Sequence, residues 1–149
     1  YPSGNSAMPY GFAAYEIWKR AFDSENVPAK HGHHHAGILK ARRQTAAVYL
    51  RDVVSLFPEA AEPLTTAAAH YDREAGTLTS LHTLCLTARD NGAFSADERT
   101  KAARLLGEAL NHDRAAIAQI ETALTIIDTE YRCTCELTEP AQNQAAAVH

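Results

Sequence analysis

ARLLGEALNHDRAAIAQIETALTIIDTEY (residues 103–131) decides the fold class of this chain. Within it Ala103, Leu106, Leu110, Asp113, Ile117, Ile120, Leu124, Ile127 and Tyr131 step by three and four throughout. Side chains at that spacing share one helix face, so the stretch predicts a long amphipathic helix turned toward a core. Asp113 is the only charged member of the stripe. A carboxylate facing a core needs a partner, because burying it unpaired is costly.

The same texture recurs upstream. Leu39, Arg43, Ala46, Leu50, Val53 and Phe57 form the stripe of a helix expected over about 36–57. Pro58 stops it, since proline disfavours helical geometry in the residue before it. A third helix, with Pro63 in its first turn, carries Leu64, Ala67, Tyr71, Glu74, Leu78, Leu81 and Cys85 to about Arg89. Asn91-Gly92 supplies a left-handed exit, and Ser95-Ala96-Asp97-Glu98 reads as a capping box that opens the fourth helix. Near the start, Pro9 suits a helix beginning, and Phe12, Tyr15, Trp18 and Phe22 make a short aromatic stripe ending near Asp23. Residues 24–35 read as a polar loop holding Pro28 and the run His31, His33, His34, His35. Residues 1–8 read as linker and 136–149 as a disordered tail. The expectation is one domain over 9–132, all-α, an antiparallel four-helix bundle. Its first helix is short and aromatic, and its last two are long.

Composition narrows the function classes. At 149 residues the chain is long enough to bury roughly 70% of its unfolded surface. The net charge of −4 argues against nucleic acid as a partner, because phosphate binding needs a basic face. No apolar run approaches the ~20 residues that cross a bilayer. Eight histidines make the charge sensitive to pH, since titrating them all moves it from −4 to +4. Three cysteines, Cys85, Cys133 and Cys135, supply no disulfide framework and fit a reducing, cytoplasmic setting. The chain starts at Tyr1 without an initiator Met or a signal-peptide pattern, which reads as a piece of a larger protein.

Each helical stripe is interrupted by one charge: Arg43, Glu74 or Asp113. In antiparallel neighbours with short connections, Glu74 and Asp113 each lie about 22–24 Å below the same end, and Arg43 about 21 Å above the other. All three can therefore meet in one layer. Two carboxylates there could bind a cation, but one guanidinium forking between them is the simpler reading, a core ion network that fixes helix register. A carboxylate di-metal centre fails on spacing, because no Glu-x-x-His occurs anywhere in the chain.

The histidine run could chelate zinc, nickel or copper through imidazole nitrogens, with His70 or His112 as secondary candidates. It has no companion cysteine or carboxylate at a recognised spacing, so a solvated loop is preferred and no cofactor is expected. Cys133-Thr134-Cys135 matches neither a Cys-x-x-Cys redox motif nor half a zinc ribbon. Nothing in the sequence places a nucleophile beside a base, so no catalytic residue is assigned.

Four segments carry a family resemblance: GFAAYEIWKRAF (11–22), GILKARRQTAAVYLRDV (37–53), AAEPLTTAAAHYDREAGTL (60–78) and KAARLLGEALNHDRAAIAQIETAL (101–124). Their order and texture over about residues 9–130 resemble the helical C-terminal half of a bacterial family. Its members carry a cysteine-peptidase-like N-terminal domain similar to butirosin biosynthesis protein H, which transfers an acyl group from a carrier protein to an aminoglycoside amine. The family's reactive cysteine lies in that N-terminal domain, and none of its catalytic residues has a counterpart here. The resemblance implies a non-catalytic helical domain that packs on or regulates a cysteine-peptidase-like or acyltransferase partner, or that pairs with its own copy. The alternative is a stand-alone metal-binding bundle using the His31–His35 loop. An acidic core facing a cationic small molecule is a third reading.

Overall fold

The computed structural model describes residues 11–24, Val27 and 29–136, and for 29–31 and 133–136 the backbone alone. Four helices follow in order: α1 (Phe12–Asp23), α2 (Ala29–Val54), α3 (Ala61–Asn91) and α4 (Ala96–Glu136). A 3-10 turn at Pro58–Ala60 leads into α3. α2 packs on α3, α3 on α4, and the short α1 on α4. The protein is an all-α helical bundle, and among the described residues no helix is long and apolar enough to cross a membrane. The expected start at Pro9, the linker before it and the tail beyond residue 136 lie outside the described residues.

Local chemistry sets the helix ends. Gly92 takes the left-handed conformation (φ 83°) and its N–H donates to the Arg89 carbonyl at 3.1 Å, closing α3. Three residues later the capping box is reciprocal. Ser95 N–H donates to Glu98 Oε2 at 2.7 Å, and Glu98 N–H donates to Ser95 Oγ at 3.2 Å. Those bonds hold the Glu98 carboxyl below its ordinary pKa. The link between α3 and α4 is too short for anything but an antiparallel turn. α4 runs on to Glu136, beyond the expected end near Tyr131.

One expectation is corrected. The run His31–His35 is not in a loop: α2 begins at Ala29 and carries the run in its first turns, and it ends at Val54 rather than Phe57. Weak helix formers are held there by packing. A Cβ added at Gly32 would stand 3.1 Å from Cys85 Sγ, and one at Gly37 would stand 3.3 Å from the His82 ring. The missing side chains let α2 approach α3 closely, and that contact outweighs a propensity deficit of about 1 kcal/mol per glycine.

The buried faces follow a 3.5-residue period. On α3 and the turn before it, Ala60, Leu64, Ala67, Tyr71, Glu74, Leu78, Leu81, Cys85 and Ala88 are all buried, spaced alternately by four and three. That spacing marks left-handed, coiled-coil-like packing. On α4 the expected stripe is buried at Leu106, Leu110 and Asp113, but beyond them the buried face turns toward the alanines. Ala102, Ala109, Ala116 and Ala123 are buried, whereas Leu124 is 59% and Tyr131 70% exposed. The larger members of the sequence stripe flank the seam at those positions, and the alanines occupy it. Small side chains there permit close helix approach.

The core has two parts. One joins Tyr15 and Phe22 of α1 to Leu78, Leu81 and Cys85 of α3, Phe94, and Leu105, Leu106 and Leu110 of α4. The other joins Ala47 and Leu50 of α2 to Leu64, Ala67 and Tyr71 of α3 and Ala116 and Ala123 of α4, with no residue from α1. Along each of α2, α3 and α4, one charged residue separates the two parts.

Candidate functional site

Those three residues meet. Arg43 Nε donates to Glu74 Oε1 at 2.8 Å, and another guanidinium nitrogen donates to Asp113 Oδ2 at 2.9 Å. One side chain thus ties α2 to α3 and to α4. Tyr15 on α1 adds a fourth helix by donating its hydroxyl to the same Glu74 Oε1. The Arg43 guanidinium carbon also stands 5.1 Å from the centre of the Tyr71 ring, a cation–π contact. Glu74 is fully buried, Asp113 is 2% exposed and the Arg43 side chain is 21% exposed.

The charges do not balance: one guanidinium serves two carboxylates. Glu74 Oε2 and Asp113 Oδ1 are buried and accept no hydrogen bond from the described residues. Burial accordingly raises the Glu74 pKa, against the opposing hydrogen bonds from Tyr15 and Arg43, and the Asp113 charge adds to the rise. Asp113 is raised by burial too, with Arg43 opposing. For Arg43, burial works against the cation, but the hydrogen bond to Glu74 and the charges of Glu74 and Asp113 outweigh it and push its pKa up. The two directions are consistent: the cation is over-supplied with anions, and each anion is under-supplied with cations. Tyr15 is raised by burial and by Glu74, so it stays a neutral donor.

Two clefts adjoin this layer. One, of about 330 Å³, lies between α1 and α2 and is lined by Tyr15, Trp18, Leu39, Arg42 and Arg43 among others. The other, of about 270 Å³, is lined by Phe12, Arg43, Tyr71, Asp113 and Ile117 beside Gly11. Glu74 lines neither of them. The layer can hold helices in register and carry a proton on a carboxyl. It contains no side chain poised as a nucleophile.

The histidines are distributed differently. His34 and His35 are exposed on α2, and the His35 ring packs edge-on near Trp18 at 6.4 Å between ring centres. His33 turns toward α3, its ring centre 6.2 Å from that of His82. The His31 side chain lies outside the described residues, as do those of Cys133 and Cys135. Among the described residues no group of three or more His, Cys, Asp or Glu could hold a metal ion. His70 and His112, 42 positions apart in sequence, are brought together across α3 and α4, with 3.4 Å between their Nδ1 atoms.

Sequence reasoning placed Tyr15 and Tyr71 only in apolar stripes and missed their polar roles. For Tyr15 the available signal was the hydroxyl itself, since a tyrosine in a core stripe needs a partner for its O–H; the Tyr71 contact is through its ring. Comparison with protein-family models, with curated proteins and with solved structures finds no match.

Proposed function

We propose that this chain is a non-catalytic helical domain that packs against, or regulates, a cysteine-peptidase-like or acyltransferase partner domain. The observation that carries this reading is the burial of Glu74 at the middle of the charged layer. Glu74, the residue on which Arg43 and Tyr15 converge, is wholly inaccessible, and its contacts are spent joining helices. Reactive chemistry is not available from Cys85 either: its thiol is fully buried, and burial pushes its pKa up to about 11. A thiol so placed supplies almost no thiolate at neutral pH. The resemblance of the four helical segments to the C-terminal half of a two-domain family points to the partner class.

The test is to read the genomic frame upstream of Tyr1, to express the Cys- and His-bearing domain this reading expects there, and to mix it with this chain. A one-to-one complex in sedimentation, with thioester or acyl-transfer turnover only from the partner, is the expected result. Turnover by this chain alone would overturn the reading. So would an upstream frame that lacks a Cys- and His-bearing domain.

A further inference from the structure

We infer that His70 and His112 form a zinc site that bridges α3 and α4. The geometry is specific. The two Nδ1 atoms stand 3.4 Å apart, a long hydrogen-bond contact when one of them carries its proton and a pair of converging lone pairs when neither does. A tetrahedral ion with zinc–nitrogen bonds of about 2.0–2.1 Å holds two ligand nitrogens about 3.3–3.4 Å apart, which is the separation found here. Two adjacent positions on a square-planar copper or nickel ion would stand closer, at about 2.8–2.9 Å. The edge length matches a tetrahedral ion better than a square-planar one.

The ring planes are inclined at 41° with centres 5.7 Å apart, so the rings are not stacked face to face. Both histidines are half-buried, which leaves room for solvent to complete the coordination. Because no third His, Cys, Asp or Glu joins them among the described residues, the protein supplies two ligands and solvent the rest. The surroundings favour the ligand form. Burial, then the charges of His70 and Arg73, lower the His112 pKa, so its imidazole is neutral with a lone pair to give. Glu108, one turn earlier on α4, opposes that fall and would favour a dication, though it is also paired with Arg104. Arg73 is the nearby charge acting against a metal, and it is exposed, where solvent and salt screen it.

A site that spans two helices binds the folded chain better than the unfolded one, so zinc must raise the melting temperature. A run of neighbouring histidines persists in the unfolded chain and has no such requirement. The experiment uses the full chain, purified without an affinity tag, with His31, His33, His34 and His35 replaced by alanine. Zinc is titrated by calorimetry and by thermal denaturation at about pH 7.5, where imidazole is neutral. One zinc per chain and a chelator-reversible rise in Tm are expected. His70→Ala and His112→Ala should each weaken binding by about tenfold or more and cancel the Tm rise, with circular dichroism unchanged. Absence of saturable zinc binding in the four-alanine chain would overturn the site. Binding that survives His112→Ala, or binding with no rise in Tm, would do so equally.

Discussion

The two parts of the core differ in their balance of large and small side chains. The part holding α1 is filled mainly by large side chains: Phe22, Leu78, Leu81 and Leu106 are all at most 2% exposed, and Phe22 meets Phe94 edge to face at 5.2 Å. The other lacks α1 and is lined by alanines, with Ala60, Ala67, Ala68 and Ala116 fully buried. Four helices leave a central space that aromatic and leucine side chains must fill. Where three helices meet, alanines line most of the seam and only Leu50, Leu64 and Tyr71 are large buried side chains. Arg43, Glu74 and Asp113 stand where one regime gives way to the other, and their hydrogen bonds hold all four helices in register across the change.

Removing the arginine should break the comparison outright. Arg43→Ala leaves two buried carboxylates without their cation, and a loss of about 3 kcal/mol or more is expected in chemical denaturation. A loss below ~1 kcal/mol, the size of an exposed pair, would show that the layer does not hold the two parts together. Truncation comes next: Leu78→Ala in the large-residue core should cost about 2–5 kcal/mol through lost burial and a cavity. Enlargement should hurt the alanine core instead. Ala116→Leu is expected to destabilise by roughly 1–3 kcal/mol, and a neutral result would mean that the three-helix part is loosely packed.

The boundary layer also has a pH signature. The Glu74 pKa is higher in the folded chain than the ordinary 4.5. The folded state therefore holds this proton over a range where the unfolded chain has released it, so stability falls as pH rises from about 4.5 through the raised value. Asp113, raised by burial too, adds to the decline, so Glu74→Gln should reduce it rather than abolish it, and denaturation midpoints of the two proteins should move in the variant's favour from acid to neutral pH. Parallel curves would refute the assignment. The smallest effect belongs to Gly76, a mid-helix glycine on the exposed side of α3 whose added Cβ would meet nothing within 4 Å. Gly76→Ala should stabilise by about 0.5–1 kcal/mol, readable as a small rise in Tm. Gly32→Ala should not, because its Cβ would press on Cys85 in the tight α2–α3 contact.

Much of the fold was legible in local chemistry. Gly92 and the Ser95–Glu98 box mark helix ends through bonds to residues three positions away, which any short window of sequence contains. The polar layer was accessible by counting rise along antiparallel helices, because Arg43, Glu74 and Asp113 each interrupt an apolar stripe. The α2 start was not legible. Nothing near His31–His35 announces a helix, and the stabilising contact is with Cys85 and His82, about a third of the chain away. The α4 face was read correctly at Leu106, Leu110 and Asp113 but not toward the end of the helix, for a related reason: hydrophobic size favoured Leu124 and Tyr131, while the packing selected Ala116 and Ala123.

The sequence by itself determined four helices, their order, several of their ends and the presence of a charge in the middle of each long one. Periodicity and capping act within a helix, so they can be read along the chain. Tertiary structure alone decided which residues fill the α4 seam, that Tyr15 donates to Glu74, and that His70 lies against His112. Each of those depends on how closely two helices approach and how each is turned about its axis. Those quantities are set by packing between segments far apart in the chain.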